Sequence, residues 1–255
     1  MSEIVFCRVC GKQVTYLWKG TILRNLTVNY FECKYCGYVQ TEQPYWLEQA
    51  YSSAINKSDT GIMLRNQNNV KTVIVTLMQL GGLYGKVIDY AGGCGILVRL
   101  LRDIGIDAYW SDQYCQNILA CGFEYKKGKG VLVTAFEVFE HFVDPVDELD
   151  KLLDIAPNIL FSTCIIPYPI QEDWWYYGRE HGQHIGFFRH KTLQYLAKIK
   201  GKYIISYGNT YHLITDIPVN NYYWSLHLIF KKYISFFLKI MMKSKTMDDH
   251  YFNSK

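Results

Sequence analysis

Apolar and polar positions alternate in a regular way from Lys86 onward, where short apolar runs are followed by amphipathic stretches of helical length. These segments lie at residues 87–90, 97–104, 108–111, 131–136, 146–155, 159–163 and 193–199. A chain that alternates strand-like and helix-like segments builds a parallel sheet covered by helices. The pattern therefore predicts an α/β protein with a doubly wound sheet over residues 86–221.

Two copies of one cysteine pattern precede this region. They read Cys7-Arg-Val-Cys10-Gly and Cys33-Lys-Tyr-Cys36-Gly, with 22 residues between them. In each copy two thiolates can bind one cation, and the following glycine permits a tight turn that aims backbone amides at the sulfurs. Four sulfur ligands at this spacing select tetrahedral zinc. The alternative is a set of unrelated buried cysteines.

The residues between the two cysteine pairs include two short apolar runs, at 14–17 and 28–31, which predict strands. Residues 1–42 are therefore interpreted as a zinc ribbon, too small to fold without its metal. A closed site of four cysteines is structural, so the ribbon is expected to be a scaffold or a docking surface.

Residues 43–85 are predicted to be a helical linker or lid. Segment 44–51 starts at a proline and has apolar residues at helical spacing. Packing of the linker against the next domain is the simpler interpretation. The alternative is that Tyr51 or Arg65 covers a cofactor.

A glycine-rich turn follows the first strand of the predicted sheet. Asp89 is followed by Gly92, Gly93 and Gly95, and Asp112 ends the next strand. Glycines let backbone amides approach a ligand at the start of a helix, and an acid at Asp112 is within reach of ribose hydroxyls. Strand, turn, helix, strand and acid in this order indicate a nucleoside-binding site.

The turn resembles the first motif of class I S-adenosylmethionine (SAM)-dependent methyltransferases, where an acidic residue precedes Gly-x-Gly and contacts the methionine amino group. The similarity continues in residues 136–145, which look like the family's fourth-strand segment, and in 159–163, which look like its fifth strand. Residues 184–193 look like its His-x-x-x-Phe segment. The resemblance spans about residues 87–211.

The resemblance implies a Rossmann-like sheet, SAM as cofactor, and a ribbon similar to the zinc-binding domain of methyltransferases that act on nucleotide sugars. The residues expected to contact SAM are Asp89, Gly92, Gly93, Gly95, Asp112, Phe136 and Glu137. One departure is that the third strand and adenine loop are compressed into residues 122–130. Backbone groups near Gly122 and Phe123 are therefore expected at the adenine.

The segment that follows the fifth strand, residues 164–189, is expected to lie above the methyl group of SAM. Its aromatic residues 174–177 are interpreted as a wall for the acceptor. His184 is the first candidate for the general base, because imidazole titrates near neutral pH, with His181 and Glu180 in reserve. The alternative is that His184 only binds loop backbone.

Glu137, Glu140 and His141 form a second candidate site. Residues at i, i+3 and i+4 of a helix share one face and could hold a divalent ion. The spacing resembles that of metal-dependent O-methyltransferases, including small-RNA 2′-O-methyltransferases, which implies Mg²⁺ or Mn²⁺ with His184 as a further ligand. Capping and core hydrogen bonds are the alternative.

The charge of the 255-residue chain is concentrated at one end. Its 27 basic and 23 acidic side chains give a net charge of +4, and residues 227–255 alone hold six lysines and two aspartates. Residues 1–226 are thus neutral, which argues against a nucleic-acid-binding surface on the fold. The N-terminus lacks a secretory pattern, so a cytoplasmic protein is expected.

Residues 222–255 are predicted to form a basic amphipathic helix and tail. Lys231, Lys232, Lys239 and Lys243 fall on one stripe of a helix that turns by about 100° per residue. The remaining surface is broadly apolar. It must be covered by the domain, by a second subunit in a homo-oligomer, or by a membrane interface.

These features favour a SAM-dependent methyltransferase for a small hydroxylated acceptor such as a sugar, nucleotide sugar or glycan. Aromatic walls suit sugar faces, and a neutral body suits an acceptor that is not a polyanion. The alternatives are a metal-assisted nucleic-acid 2′-O-methyltransferase and a non-catalytic binding or scaffold protein that kept the fold.

Overall fold

The computed structural model describes residues 4–51 and 59–255. The strands in this part of the chain are β1 (Thr15–Ile22), β2 (Leu26–Glu32), β3 (Val39–Thr41), β4 (Lys86–Tyr90), β5 (Asp107–Ser111), β6 (Leu132–Phe136), β7 (Ile159–Ser162), β8 (Gly186–Phe187), β9 (Tyr203–Tyr207) and β10 (Tyr211–Thr215). The helices are α1 (Leu47–Ala50), α2 (Ile62–Gln79), α3 (Ile96–Asp103), α4 (Pro145–Ile155), α5 (His190–Ile199), α6 (Asn221–Ile229), α7 (Lys231–Met241) and α8 (Thr246–Asn253).

The larger sheet has the order β5-β4-β6-β7-β10-β9 in the described residues. Strands β4 to β7 pair in parallel, whereas β10 is antiparallel to both of its neighbours. The predicted α/β sheet is confirmed, with one reversed strand. Because β4, β5, β6 and β7 run the same way, their carboxyl ends bring the glycine turn and the segments after β6 and β7 to one edge.

Helices cover both faces of this sheet. One face buries Ile74 and Leu77 of α2 together with Leu101 of α3, and the other buries Leu149 of α4 and Leu196 of α5. Each such side chain contributes about 1.5–3 kcal/mol when it is fully buried. Helix α2 falls in the range predicted as linker, yet it packs into the core of the sheet.

The third strand of the family pattern is almost absent. Residues 123–125 run beside β5, where the Trp110 N–H donates to the Phe123 carbonyl (2.8 Å) and the Tyr125 N–H donates to the Trp110 carbonyl (2.7 Å). Glu124 and Trp110 thereby form one parallel bridge. The compression predicted for residues 122–130 thus leaves the outer edge of β5, opposite β4, with one bridging residue.

The smaller sheet has the order β1-β2-β3-β8 among the described residues. The predicted strands at 14–17 and 28–31 lie in the antiparallel hairpin of β1 and β2. Strand β8 comes from the segment after β7 and pairs with β3. A Cβ atom at Gly186 of β8 would lie 1.9 Å from the Tyr38 hydroxyl, so the pairing requires glycine there.

The C-terminal region forms three helices, which corrects the prediction of one continuous helix. Helix α6 ends at Ile229 and buries Trp224 against α2, where its indole N–H donates to Thr76 Oγ1 (3.2 Å). Helix α7 ends at Met241, so Lys243 lies outside it. Lys231 does not belong to an exposed basic stripe, because its side chain points to α2, where its Nζ donates to Thr72 Oγ1 (3.1 Å).

Helix α8 attaches the end of the chain to α3. Asp249 Oδ1 accepts from Arg102 Nη2 at 2.6 Å, and Asp249 Oδ2 accepts from Arg99 Nη2 at 2.9 Å. The side chains of Asp249 and Arg102 are each only 6% exposed. None of the helices in residues 4–51 and 59–255 is long and apolar enough to cross a membrane.

We predict that Asp249→Asn lowers the free energy of unfolding by about 3 kcal/mol, because a buried Arg102 would lose its main counter-charge. Urea denaturation at neutral pH measures the change. The matched control is Asp248→Asn on the same helix, whose side chain is 64% exposed. Equal losses in the two variants would contradict a stabilising role for the buried pair.

Candidate active site

The four predicted zinc ligands meet at the base of the small sheet. All four Sγ atoms lie within 4.8 Å of one another, with Cys7 and Cys36 3.5 Å apart and Cys10 and Cys33 3.4 Å apart. A tetrahedral zinc with Zn–S bonds of about 2.3 Å separates its sulfurs by about 3.8 Å. The cluster is therefore compatible with zinc, as the spacing predicts.

The backbone around the cysteines has the turn that the motif requires. Gly11 and Gly37 have φ of +68° and +81°, a region that favours glycine. Their N–H groups donate to the carbonyls of Cys7 (2.9 Å) and Cys33 (2.8 Å), and the Val9 N–H points at Cys7 Sγ (3.4 Å). These turns aim the sulfurs at one point.

The close contacts between the cysteines also shift the pKa values of their thiols. The hydrogen bond between Cys7 and Cys36 lowers the pKa of Cys7 to about 5 and raises the pKa of Cys36. Four thiolates so close together repel one another unless a cation lies among them. The donor set thus fits a resident zinc ion, which would hold the ribbon together.

The predicted cofactor turn follows β4. Asp89 is buried, its Oδ1 accepts from Thr134 Oγ1 at 2.7 Å, and burial raises its pKa to about 7. A Cβ atom at Gly92 would lie 2.8 Å from Asp89 Oδ2, so only glycine fits. Gly95 caps α3 at φ +90°, whereas at Gly93 a Cβ would meet nothing within 4 Å. The turn is therefore closely packed at Gly92, which faces Asp89, and has open space at Gly93.

Asp112 holds this turn in place. Its Oδ2 accepts from the Gly93 N–H (2.9 Å), and its Oδ1 accepts from the N–H groups of Tyr114 (2.7 Å) and Cys115 (2.8 Å). The Trp110 indole N–H donates to the Gly93 carbonyl (2.7 Å). A carboxylate has about four acceptor positions, so Asp112 can still bind a ribose hydroxyl.

Phe136 and Glu137 lie at the carboxyl end of β6, as predicted. Glu137 has φ +56°, unusual for a residue with a side chain. Its N–H donates to Ser162 Oγ (2.9 Å), and the Ser162 hydroxyl donates back to Glu137 Oε1. Glu137 is thus bound to the end of β7, and Phe136 packs edge-on against Tyr211.

The expected metal-binding face of Glu137, Glu140 and His141 is not formed as predicted. A 3₁₀ helix begins at Phe139, after the left-handed backbone of Glu137, so the three residues do not share one regular helix. Three of the four predicted ligands are nevertheless brought together, without Glu137. One potential ligand atom from each of Glu140, His141 and His184 lies within 4.8 Å of the other two.

A hydrogen bond defines the tautomer of His184. Its Nδ1 lies 2.6 Å from the Tyr176 carbonyl oxygen, and a carbonyl only accepts, so Nδ1 carries the proton and Nε2 keeps a lone pair. His141 Nδ1 lies between the Gln183 carbonyl oxygen (3.1 Å), which accepts, and the Tyr51 hydroxyl (2.9 Å), which can donate or accept. Metal-binding histidines are anchored in this way.

Glu140 contributes to the cluster a carboxylate with one oxygen that lacks a hydrogen-bond partner in the described residues. Its Oε1 accepts from the Tyr176 hydroxyl at 2.7 Å, whereas its buried Oε2 has no hydrogen-bond partner in the described part of the chain. Burial and the charge of Glu137 raise the pKa of Glu140 to about 8, and burial lowers the pKa of His141 to about 4. Burial also lowers the pKa of His184 well below its usual value. Burial therefore disfavours the charged form of all three side chains.

His181 and Glu180, the other two candidates for the general base, lie at the rim of the Glu140–His141–His184 trio. The His181 ring centroid is 4.8 Å from that of His184, and His181 Nδ1 accepts from the Gln183 N–H (3.1 Å). Glu180 is exposed. Tyr51 connects the rim to the cofactor turn, since its hydroxyl lies 2.9 Å from His141 Nδ1 and its ring stacks on Tyr114.

The aromatic segment 174–177 does not form the expected acceptor wall. Tyr177 is buried edge-on against Tyr30 of β2, with centroids 5.4 Å apart, and Trp174 packs on Tyr177. Tyr176 is also buried and borders His184, and Trp175 is 74% exposed. The ribbon offers these rings an apolar surface, which the sequence pattern could not reveal.

The ribbon also holds the residue next to His184. The Ile185 carbonyl accepts from Arg8 Nη2 and from the Thr41 N–H (3.1 Å). The Ile185 N–H donates to the Glu140 carbonyl (2.9 Å). The spacing of His184 from Glu140 therefore depends on the ribbon.

Two surface depressions of about 420 and 370 Å³ flank α5. The larger is lined by Tyr35 and Gln194 among others, and neither includes a residue of the cofactor turn or of the Glu140–His141–His184 trio. They are separate from the candidate active site.

The sheet, the glycine turn and the acids at the strand ends define a Rossmann-like, SAM-dependent methyltransferase. Residues 63–206, more than half of the chain, match the family model of a methyltransferase domain, and the chain belongs to that family. The prediction of a methyltransferase is thus confirmed. Comparison with curated proteins gives no match.

Solved methyltransferase structures are similar to the chain at low identity. Magnesium protoporphyrin IX methyltransferase from Synechocystis, with bound SAH, is 17% identical over 66% of this chain and 90% of its own, with a TM-score of 0.43. An O-methyltransferase family protein from Burkholderia thailandensis is 13% identical over 66% of this chain and 61% of its own, with a TM-score of 0.47.

We predict one zinc per chain by elemental analysis of protein purified without chelator. Cys33→Ser should lose the metal and melt at a lower temperature, because ribbon folding and metal binding are coupled. Cys121→Ser, an exposed cysteine outside the cluster, is the control and should retain both. Protein free of zinc but equally stable would contradict the assignment.

Proposed function

We propose that the enzyme transfers the methyl group of SAM to a hydroxyl of a small acceptor, such as a sugar, nucleotide sugar or glycan. The observation that carries the proposal is the Glu140–His141–His184 trio beside the carboxyl edge of the sheet. Methyl transfer to a hydroxyl requires in-line alignment and removal of one proton. The trio supplies groups that can take that proton.

SAM is expected to lie over Gly93, where the turn is open, with Asp89 facing its amino group. The ammonium and sulfonium charges of SAM favour an ionised Asp89, although burial raises the pKa of this carboxyl in the free protein to about 7. The Asp112 side chain lies after β5, where we expect the ribose hydroxyls, and Glu137 lies after β6.

His184 is our candidate for the base that takes the acceptor proton. Its Nδ1–H is bound to the Tyr176 carbonyl, so the lone pair on Nε2 is available. Burial lowers the pKa of His184 well below its usual value, which favours the neutral ring in the free protein. His181 is the second candidate, and exposed Glu180 the third.

As an alternative role for the same side chains, we propose that Glu140, His141 and His184 hold a divalent cation such as Mg²⁺ or Mn²⁺, in which case His184 is a ligand and not the base. Two imidazoles and one carboxylate with positions left open are a common donor set for divalent metals. Glu140 Oε2, which has no hydrogen-bond partner in the described residues, and the Nδ1–H group of His184, which is anchored on the Tyr176 carbonyl, fit such an ion. When bound, it would lower the pKa of an acceptor hydroxyl, leaving the proton transfer to His181 or solvent.

The neutral body supports a small acceptor over RNA. The basic and acidic side chains of residues 1–226 balance, whereas RNA binding depends on clustered cations. An RNA 2′-O-methyltransferase therefore remains the second candidate, supported by the likeness of the trio to metal-dependent enzymes.

We expect calorimetry to show binding of both SAM and S-adenosylhomocysteine, with affinity for SAM rising between about pH 6 and pH 7 as Asp89 ionises. Asp89→Asn should weaken SAM binding at least about tenfold, or about 1.4 kcal/mol, and abolish this pH dependence. Asp154→Asn, on the exposed side of α4, is the control.

Transfer of labelled methyl groups to a panel of nucleotide sugars then tests the acceptor class. Labelling of RNA instead of sugars would overturn the small-acceptor proposal. Failure to bind either cofactor form would overturn the catalytic function altogether.

The divalent site is tested by titration with Mn²⁺, followed by electron paramagnetic resonance. We expect one bound Mn²⁺ per chain in the wild type and a loss of at least about tenfold in affinity in Glu140→Gln, with ribbon zinc retained. Glu172→Gln, on the exposed part of the same region, is the control. Unchanged Mn²⁺ affinity in Glu140→Gln would leave His184 as a metal-free base.

A further inference from the structure

Helix α7 exposes an apolar face even though its opposite side is already packed. Ile234 and Leu238 contact the core at α2, and Ser235 between them is buried. The outward face carries side chains that are 62–76% exposed, namely Tyr233, Phe236, Phe237, Ile240 and Met241. A helix that is apolar on both sides is covered by something on its outer side.

The outward side chains form one continuous arc. With about 100° per residue, the five residues from Tyr233 to Met241 span about 140° of the helix. Lys232 and Lys239 lie side by side at one border of this arc, and both are exposed. Neither forms an ion pair with any residue that the structure describes. An apolar arc bordered by free lysines is the pattern of a helix that lies in a membrane interface.

The charge of this region determines which partner fits. Residues 221–245 contain five lysines and neither aspartate nor glutamate. An anionic surface pairs with these lysines, whereas a second copy of this region supplies no acidic side chain to pair with them. Lysines close to a membrane surface attract anionic lipids.

We propose that α7 docks on the surface of an anionic lipid bilayer, with its outward arc among the acyl chains and Lys232 and Lys239 at the headgroups. The helix has 11 residues and is therefore only about 16 Å long. It lies along the interface and does not cross it, in agreement with the lack of a spanning helix in the described residues.

Co-sedimentation of the full chain with vesicles tests the proposal. We expect binding to phosphatidylcholine vesicles that contain phosphatidylglycerol, and at least about tenfold weaker binding to phosphatidylcholine alone and at high salt. Phe236→Ser/Phe237→Ser and Lys232→Glu/Lys239→Glu should each weaken binding to the anionic vesicles at least about tenfold. Tyr84→Ser, which removes a still more exposed aromatic residue outside α7, should bind as the wild type does.

Unchanged SAM affinity and circular dichroism in these variants would show that they fold, so that lost binding is due to the surface. Equal binding to both kinds of vesicle, or binding that survives both double substitutions, overturns the proposal. The proposal is also overturned if the wild-type protein does not bind vesicles but sediments as a dimer, and Phe236→Ser/Phe237→Ser dissociates that dimer. The outward face of α7 would then bind a second copy of the chain.

Discussion

The backbone pairing of β3 with β8 is the constraint on which the candidate active site depends. Gln40 faces Gly186 in this register, and the Tyr38 hydroxyl occupies the space that a side chain at Gly186 would need. The pairing fixes Ile185, which is bound on one side to the ribbon and on the other to the Glu140 carbonyl. The residue next to His184 is thereby held between the small sheet and the backbone of Glu140.

The two clusters of potential metal ligands differ in their donors and surroundings. The four cysteines supply four sulfur donors, a set that is compatible with a closed structural site. Glu140, His141 and His184 supply three donors, and Tyr51 links them to the residues after β5, because its hydroxyl lies 2.9 Å from His141 Nδ1 and its ring stacks on Tyr114. Burial disfavours the charged forms of these three side chains, which suits either a proton acceptor or a cation that restores the charge of Glu140.

The periodicity of apolar residues and the spacing of motifs predicted the features that depend on local sequence. The sheet, the Cys7–Cys36 cluster and the position of Asp89 beside the glycine turn follow from alternation and from fixed intervals. Contacts between distant segments were not predictable, because nothing in residues 184–193 indicates that Gly186 pairs with β3. Aromatic content likewise did not reveal that Tyr177 packs on the ribbon, and the Glu-x-x-Glu-His spacing did not reveal the left-handed backbone at Glu137.

The short third strand has a consequence for the last helix. A strand at the border of a sheet presents unpaired backbone groups to which another chain can add. On the side away from β4, β5 has one bridge in the described residues, at Trp110. Helix α8 covers the bridging segment, with Phe252 against Phe123 and Asn253 Nδ2 donating to the Cys121 carbonyl (3.0 Å). Because α8 lies far along the chain from β5, that border stays open to intermolecular β-pairing until the final helix has folded onto α3.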